Sequence, residues 1–307
     1  MLSTKFAGVL AITASLIATP VLGQANPFPN GDFSILNFAL TLEHLEATFY
    51  NIGLSKLNQG AFKEAGKELA QDLRTNIQHI ADHENTHVKF LTTAISAAGG
   101  KQVDACNAYN FGNAFDNVYN FIAVARALEE TGVSAYAGAI ADIKTSAYVT
   151  AGATIAEVEA RHSAYLNSVS SNGSGNPFPY AFDTPLPENL VLSLALQFVK
   201  DCSNTNFDFT LSYPPFLTIE NKGNLKNGET IKFKVASDAV STNGAYCTFA
   251  YSQTNASVPY SVCEIPRDVD GYSYLTLSSK NATDFSSVIA GPALGFVDNG
   301  ECVEYKH

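Results

Sequence analysis

Two copies of Glu-x-x-His stand in apolar, helix-forming sequence: Glu84-Asn85-Thr86-His87 and Glu159-Ala160-Arg161-His162. Positions i and i+3 of a helix lie about 60° apart around its axis, so the Glu and His of each copy can grip one common ion. Each copy is preceded by a helical stretch with its own acid, Glu43 in Leu42-Glu43 and Glu129 in Leu128-Glu129. Four carboxylates and two imidazoles on four helices form the donor set of a two-metal carboxylate centre. Bare carboxylates are costly inside a helical core, at several kcal/mol each even after relaxation, and two divalent cations balance four of them. The predicted metal ligands are therefore Glu43, Glu84, His87, Glu129, Glu159 and His162, and the four Glu are also the predicted catalytic groups.

All four acids interrupt apolar stripes of helical period, for example Leu36, Leu40, Glu43, Ala47 and Tyr50, or Ile155, Glu159, His162 and Leu166. Register leaves alternatives open. Glu46 sits on a stripe with Leu42 and Phe49 and competes with Glu43; Glu130 competes with Glu129. Glu157 pairs with Arg161 at i,i+4, which puts it on the outer surface. A rival motif overlaps the first copy, since His83-Glu84-Asn85-Thr86-His87 is the His-Glu-x-x-His of a zinc protease. That reading leaves the second copy unexplained. In the two-metal reading His79 and His83 are exposed or lie behind the ligands, and His44 flanks the site.

These residues require four long helices. Periodicity predicts them over about 34–57, 62–98, 117–143 and 146–168, with a shorter fifth helix over 188–200. Gly99-Gly100 marks the end of the second. The first and second helices, and the third and fourth, are joined by short loops and read as antiparallel hairpins. The irregular stretch 101–114 can span the length of a bundle. The hairpins resemble each other: Tyr50 follows Glu43 and Tyr136 follows Glu129 at the same interval. Beyond Asp208 the composition shifts to short runs rich in Thr, Val, Tyr and Phe between Gly, Asn and Pro turns. Six or seven strands, among them 216–220, 230–235, 245–251, 273–277 and 288–297, predict an antiparallel Ig-like β-sandwich.

The N-terminus reads as a signal peptide over residues 1–24, with Lys5 as its charge, an apolar run from Phe6 to Ile17, and Pro20. Sequons at Asn172, Asn255 and Asn281 agree with secretion. Of the 5 cysteines none is spaced as Cys-x-x-Cys, which argues against a zinc ribbon. Two disulfides and one free thiol are expected, Cys106–Cys202 and one pair among Cys247, Cys263 and Cys302. The net charge of −11 and the lack of a basic cluster exclude nucleic acid and anionic membranes as natural partners.

Leu36–Tyr50, Asp82–Leu91, Ala125–Tyr136 and Glu157–Leu166 together resemble the secreted ferritin-like proteins of fungi, of the stress-response or late-sexual-development type, and more remotely plant desiccation-related proteins. The resemblance covers about 30–205. It implies an α+β multidomain protein: a ferritin-like four-helix bundle with one long crossover and an extra C-terminal helix over 30–203, then the sandwich over 209–307. It further implies two iron or manganese ions held by the six residues named above, with Glu84 and Glu159 bridging, and oxidoreductase chemistry on metal, O2 or peroxide. The alternatives are a non-enzymatic wall or stress protein whose β domain binds a cell-wall or protein partner, and the zinc metalloprotease.

Overall fold

The computed structural model describes residues 31–66, 72–170, 175–204, 212–221, 223 and 225–298. The expected leader, Asn172 and Cys302 lie outside the described residues.

Four long helices dominate the N-terminal part: α1 (Asp32–Lys56), α3 (Leu73–Ala97), α4 (Val118–Ala139) and α5 (Ser146–Val169), with a short α2 (Gln59–Ala65) between the first two. The expected second helix from residue 62 is thus two elements. Asn58 stops α1 and starts α2, its side chain accepting a bond from the Ala61 amide at 2.9 Å. α3 ends as the glycine pair predicts. Gly99 takes a left-handed φ of 83°, and its amide and that of Gly100 return to the carbonyls of Ser96 and Ile95.

The helices run antiparallel within each hairpin. Near the end of α1, the carbonyl of Leu54 meets Arg74 at the start of α3, while Asn37, near the start of α1, binds the backbone of Lys101 and Val103 beyond α3. Arg126 in the first half of α4 meets Asn167 near the end of α5, whereas Glu129 and Glu130 further along α4 meet His162 and Ser163 earlier in α5. Phe49 on α1 stacks on Phe121 on α4 with ring centres 4.8 Å apart, a contact worth about 0.5–1.5 kcal/mol beyond its burial.

The link from α3 to α4 contains β1 (Ala108–Tyr109). After α6 (Glu188–Ala195) comes β2 (Val199–Asp201), which pairs antiparallel with β1. The expected fifth helix to residue 200 therefore ends early. Val199–Asp201 is instead drawn into extended pairing beside the Cys106–Cys202 disulfide, which ties the long link to the end of the helical part.

Six further strands follow. β3 (Leu217–Ile219) pairs with β4 (Phe233–Val235). β5 (Tyr246–Tyr251), β6 (Thr254–Pro259), β7 (Gly271–Ser278) and β8 (Val288–Val297) form an antiparallel sheet in the order β6-β5-β7-β8. Cys247 and Cys263 are the second disulfide. β7 is buried along its whole length, and its side chains alternate between two cores. Tyr272 and Tyr274 join the helical core, whereas Leu275 and Leu277 join a core within the β part. The Tyr274 hydroxyl donates to the carbonyl of Glu130 at 2.9 Å and lies 2.7 Å from the Ser134 hydroxyl. The sheet is thereby pinned to α4 beside Glu129. No described helix is long and apolar enough to cross a membrane.

Candidate metal centre

Each of the four long helices turns one fully buried glutamate inward: Glu43, Glu84, Glu129 and Glu159 are all 0% exposed. His87 and His162 sit one helical turn beyond Glu84 and Glu159 and face the same centre. His87 Nδ1 lies 3.3 Å from Glu43 Oε2, 3.3 Å from Glu84 Oε2 and 3.2 Å from Glu159 Oε1. His162 Nδ1 lies 3.1 Å from Glu84 Oε1 and 3.0 Å from Glu129 Oε2. Two groups emerge whose donor atoms all fall within 4.8 Å of one another: Glu43, Glu84, His87 and Glu159, and Glu84, Glu129, Glu159 and His162. Glu84 and Glu159 belong to both. The six residues singled out from the sequence are thus brought together as two overlapping donor sets that share two carboxylates.

The terminal acids are held across the hairpins. Tyr50 on α1 donates to Glu129 Oε1 on α4, and Tyr136 on α4 donates to Glu43 Oε1 on α1, both at 2.5 Å. The equal Glu–Tyr spacing in the sequence is therefore a reciprocal brace, each hairpin orienting the other's carboxylate. Each bond leaves the second oxygen of that carboxylate facing the centre.

Protons alone satisfy this cluster poorly. Glu43 Oε2, Glu84 Oε1 and Glu159 Oε1 have an imidazole nitrogen 3.1–3.3 Å away but accept no well-directed hydrogen bond, and Glu159 Oε2 is buried with no partner. A neutral imidazole has one N–H, so His87 Nδ1 can donate to only one of the three carboxylates around it. Burial raises the Glu43 carboxyl to about 7, against the lowering effect of the nearby His87 imidazole. Burial and then the charge of Glu84 push Glu159 up strongly. Glu84 goes the other way: the His162 and His87 imidazoles beside it outweigh its burial and hold it at about 2. His162 rises to about 9 because Glu129 and Glu84 overcome its burial, and His87 rises for the same reason through Glu159, Glu43 and Glu84. Buried oxygens that are orphaned, convergent and paired with imidazole nitrogens fit divalent cations.

The alternatives separate. Glu130 points away from the centre, accepting a bond from Ser163 Oγ at 2.7 Å; burial pushes it up to about 8. Glu46 is buried like Glu43 but stands outside both donor groups. Its sequence signal, a place on a second apolar stripe, was real but did not reveal that both acids of α1 go inside. His83 is exposed, and its Nδ1 meets Nε2 of His162 at 2.9 Å with the rings stacked. It thus braces a ligand from behind, and no donor group among the described residues contains His83 together with His87. The His-Glu-x-x-His reading finds no shared zinc position there. His44 reaches the Val103 carbonyl at 3.3 Å instead of the centre, and His79 is exposed.

The comparison with known families agrees with this geometry. Residues 31–172 match the ferritin-like domain. The matched span takes in α1 to α5 and the six clustered residues described above. The chain is also similar to Protein rds1 of Schizosaccharomyces pombe (strain 972 / ATCC 24843), with 26% identity over 279 residues, 86% of this chain and 64% of the relative. The likeness extends beyond the ferritin-like domain into the β part, although this chain spans less than two thirds of the relative's length.

Proposed function

We propose that the four long helices are a ferritin-like bundle holding two iron or manganese ions, and that the protein is an oxidoreductase acting on O2, peroxide or oxidisable metal. The observation that carries this is the sharing of Glu84 and Glu159 by two donor sets, each completed by one imidazole and one terminal carboxylate. Such ions supply redox chemistry and Lewis acidity when bound. The chain's own residues do the rest. Glu84 and Glu159 would serve both ions, Glu43 and Glu129 would each serve one, and His87 and His162 would supply imidazole nitrogen. Tyr50 and Tyr136 fix the end carboxylates. The aromatic and aliphatic side chains packed around the centre keep bulk water out.

In this reading residues 30–203 are the ferritin-like unit, and 209–307 are an appended Ig-like sandwich docked through Tyr272 and Tyr274. Secretion is part of the proposal. The apolar N-terminal run supports it, as do the two disulfides and the exposed sequon Asn281. Anaerobic loading with Fe(II), then elemental analysis and a stopped-flow record of Fe(II) oxidation by O2 or H2O2, tests the function. The expected result is two ions per chain and oxidation faster than in buffer. Loading that succeeds without faster oxidation would refute the enzyme and favour a scaffold. Failure to load would refute the metal centre itself.

A further inference from the structure

Glu46 is unexplained by the six-ligand centre, and so is the cavity beside it. A cavity of about 530 Å³ lies where α1 and α4 meet α6, β3 and β8. Its walls are largely apolar, with Leu45, Leu128, Leu194, Phe198, Leu217 and Leu294 among them, and Asn113, Gln197 and Thr218 add polar contacts. Among the described residues of this lining Glu46 is the one ionisable side chain. A buried carboxyl at an apolar wall is costly unless something meets it.

Gly132 stands between this space and the metal centre. A Cβ at Gly132 would lie 2.8 Å from Glu159 Oε2 and 3.1 Å from Glu46 Oε1. Glu46 follows Glu43 by three residues in α1, and Gly132 follows Glu129 by three in α4. At matched positions, one hairpin supplies a carboxyl and the other supplies a gap. The missing side chain leaves room for both the Glu46 and the Glu159 carboxylates beside one glycine.

We propose that this cavity is the organic-ligand pocket of the metal centre. It takes a small, neutral, mostly apolar molecule whose one hydrogen-bonding group meets the Glu46 carboxyl and points past Gly132 toward Glu159. The volume lies within the roughly 300–1,000 Å³ typical of small-molecule pockets. Charged ligands are disfavoured: an anion would meet Glu46 with no Lys or Arg in the lining, and a cation would lose its hydration to apolar walls. The inference rests on the oxidoreductase reading only in calling the centre the target; the pocket itself is independent of metal.

N-phenyl-1-naphthylamine, a neutral apolar amine with one N–H, is the probe, titrated by fluorescence into the full chain with and without metal. Saturable one-to-one binding to the metal-free protein is expected. Ala127→Phe, at a half-buried position of α4, and Thr218→Trp, at the exposed middle residue of β3, fill the cavity from two walls and replace no metal ligand. Each is expected to weaken binding at least 10-fold with an unchanged thermal midpoint, and either suffices if the other fails to fold. Proton relaxation of the bound probe is then compared between Mn(II)-loaded and Zn(II)-loaded protein of measured metal content. Strong enhancement by Mn(II) is expected. No binding to folded protein, or unchanged binding in the folded filled variants, overturns the pocket. Equal relaxation with both metals bound overturns its link to the centre. Absence of bound metal refutes the metal reading instead, and leaves the pocket to be judged by the filled variants alone.

Discussion

The two helical hairpins bring the same chemistry to the centre and different surroundings. α1 with α3 supplies Glu43, Glu84 and His87, and α4 with α5 supplies Glu129, Glu159 and His162. Each half lends the other a tyrosine. Away from the ligands the halves part. The first has Glu46 where the second has Gly132, and His83 before its Glu-x-x-His where the second has Val158. His83 then braces the second half's imidazole, while α4 carries the β-sheet through Tyr274. The donor residues repeat between the hairpins, and the departures from that repeat fall at Gly132 and behind His162.

Breaking the shared carboxylates has the largest expected effect. Glu84→Ala and Glu159→Ala each remove a donor common to both sets. Metal affinity is expected to fall by more than about 100-fold in either variant, above the ~10–100-fold typical of residues that only support a ligand. Equal losses from the two would sustain the symmetric view; loss of one ion in one variant alone would break it.

Next comes the matched pair at the gap. Gly132→Ala forces a methyl against Glu159 and is expected to cost about 1–3 kcal/mol of stability by denaturant titration, the usual range for overfilling a packed site. Glu46→Gln at the matched position is expected to stabilise the metal-free protein, because burial and then Glu159 hold that carboxyl well above its ordinary range. A stabilising Gly132→Ala would mean that the gap has no role.

pH sharpens the comparison between halves. The Glu43 carboxyl of the first half is raised to about 7 in the fold from an ordinary 4.5. The metal-free fold therefore loses stability as pH climbs through that window. His162 of the second half is raised to about 9 from an ordinary 6.5. Its stabilising share is complete below 6.5 and disappears as pH passes 9. The thermal midpoint of metal-free protein is expected to fall from about pH 5 to pH 9. Bound metal replaces these protons, so its affinity is expected to rise over the same range. A metal-free midpoint that rises instead would contradict the buried proton-bearing cluster.

The smallest effects test the braces. Tyr50→Phe and Tyr136→Phe are expected to weaken metal binding about 10-fold each and equally, as reciprocal partners should. His83→Ala is expected to cost less, since its partner His162 keeps contacts to Glu84 and Glu129. It has no counterpart in the other half to compare.

Much of this centre could be read from the sequence because its signals are local. Two Glu-x-x-His copies on 3.6-residue stripes fix four of the six residues, and the repeated Glu–Tyr interval marks the other two helices. What stayed ambiguous was non-local. Glu43 against Glu46 could not be decided on one helix, because both lie on apolar stripes and both are buried. The closeness of Gly132 on α4 to the Glu159 carboxylate on α5 leaves no trace along α4 alone. Val199–Asp201 became a strand because β1, some ninety residues earlier, offers it a partner. Among strands, 288–297 was legible from its β-branched and apolar run, whereas Thr254–Pro259, polar and on the sheet edge, was not.

Anomalous diffraction from crystals loaded with Fe(II) and frozen anaerobically addresses the centre most directly. The expected map has two iron peaks per chain, one among Glu43, Glu84, His87 and Glu159 and the other among Glu84, Glu129, Glu159 and His162. A single peak between His83 and His87, or no peak inside the four helices of folded and Fe-soaked protein, would contradict it.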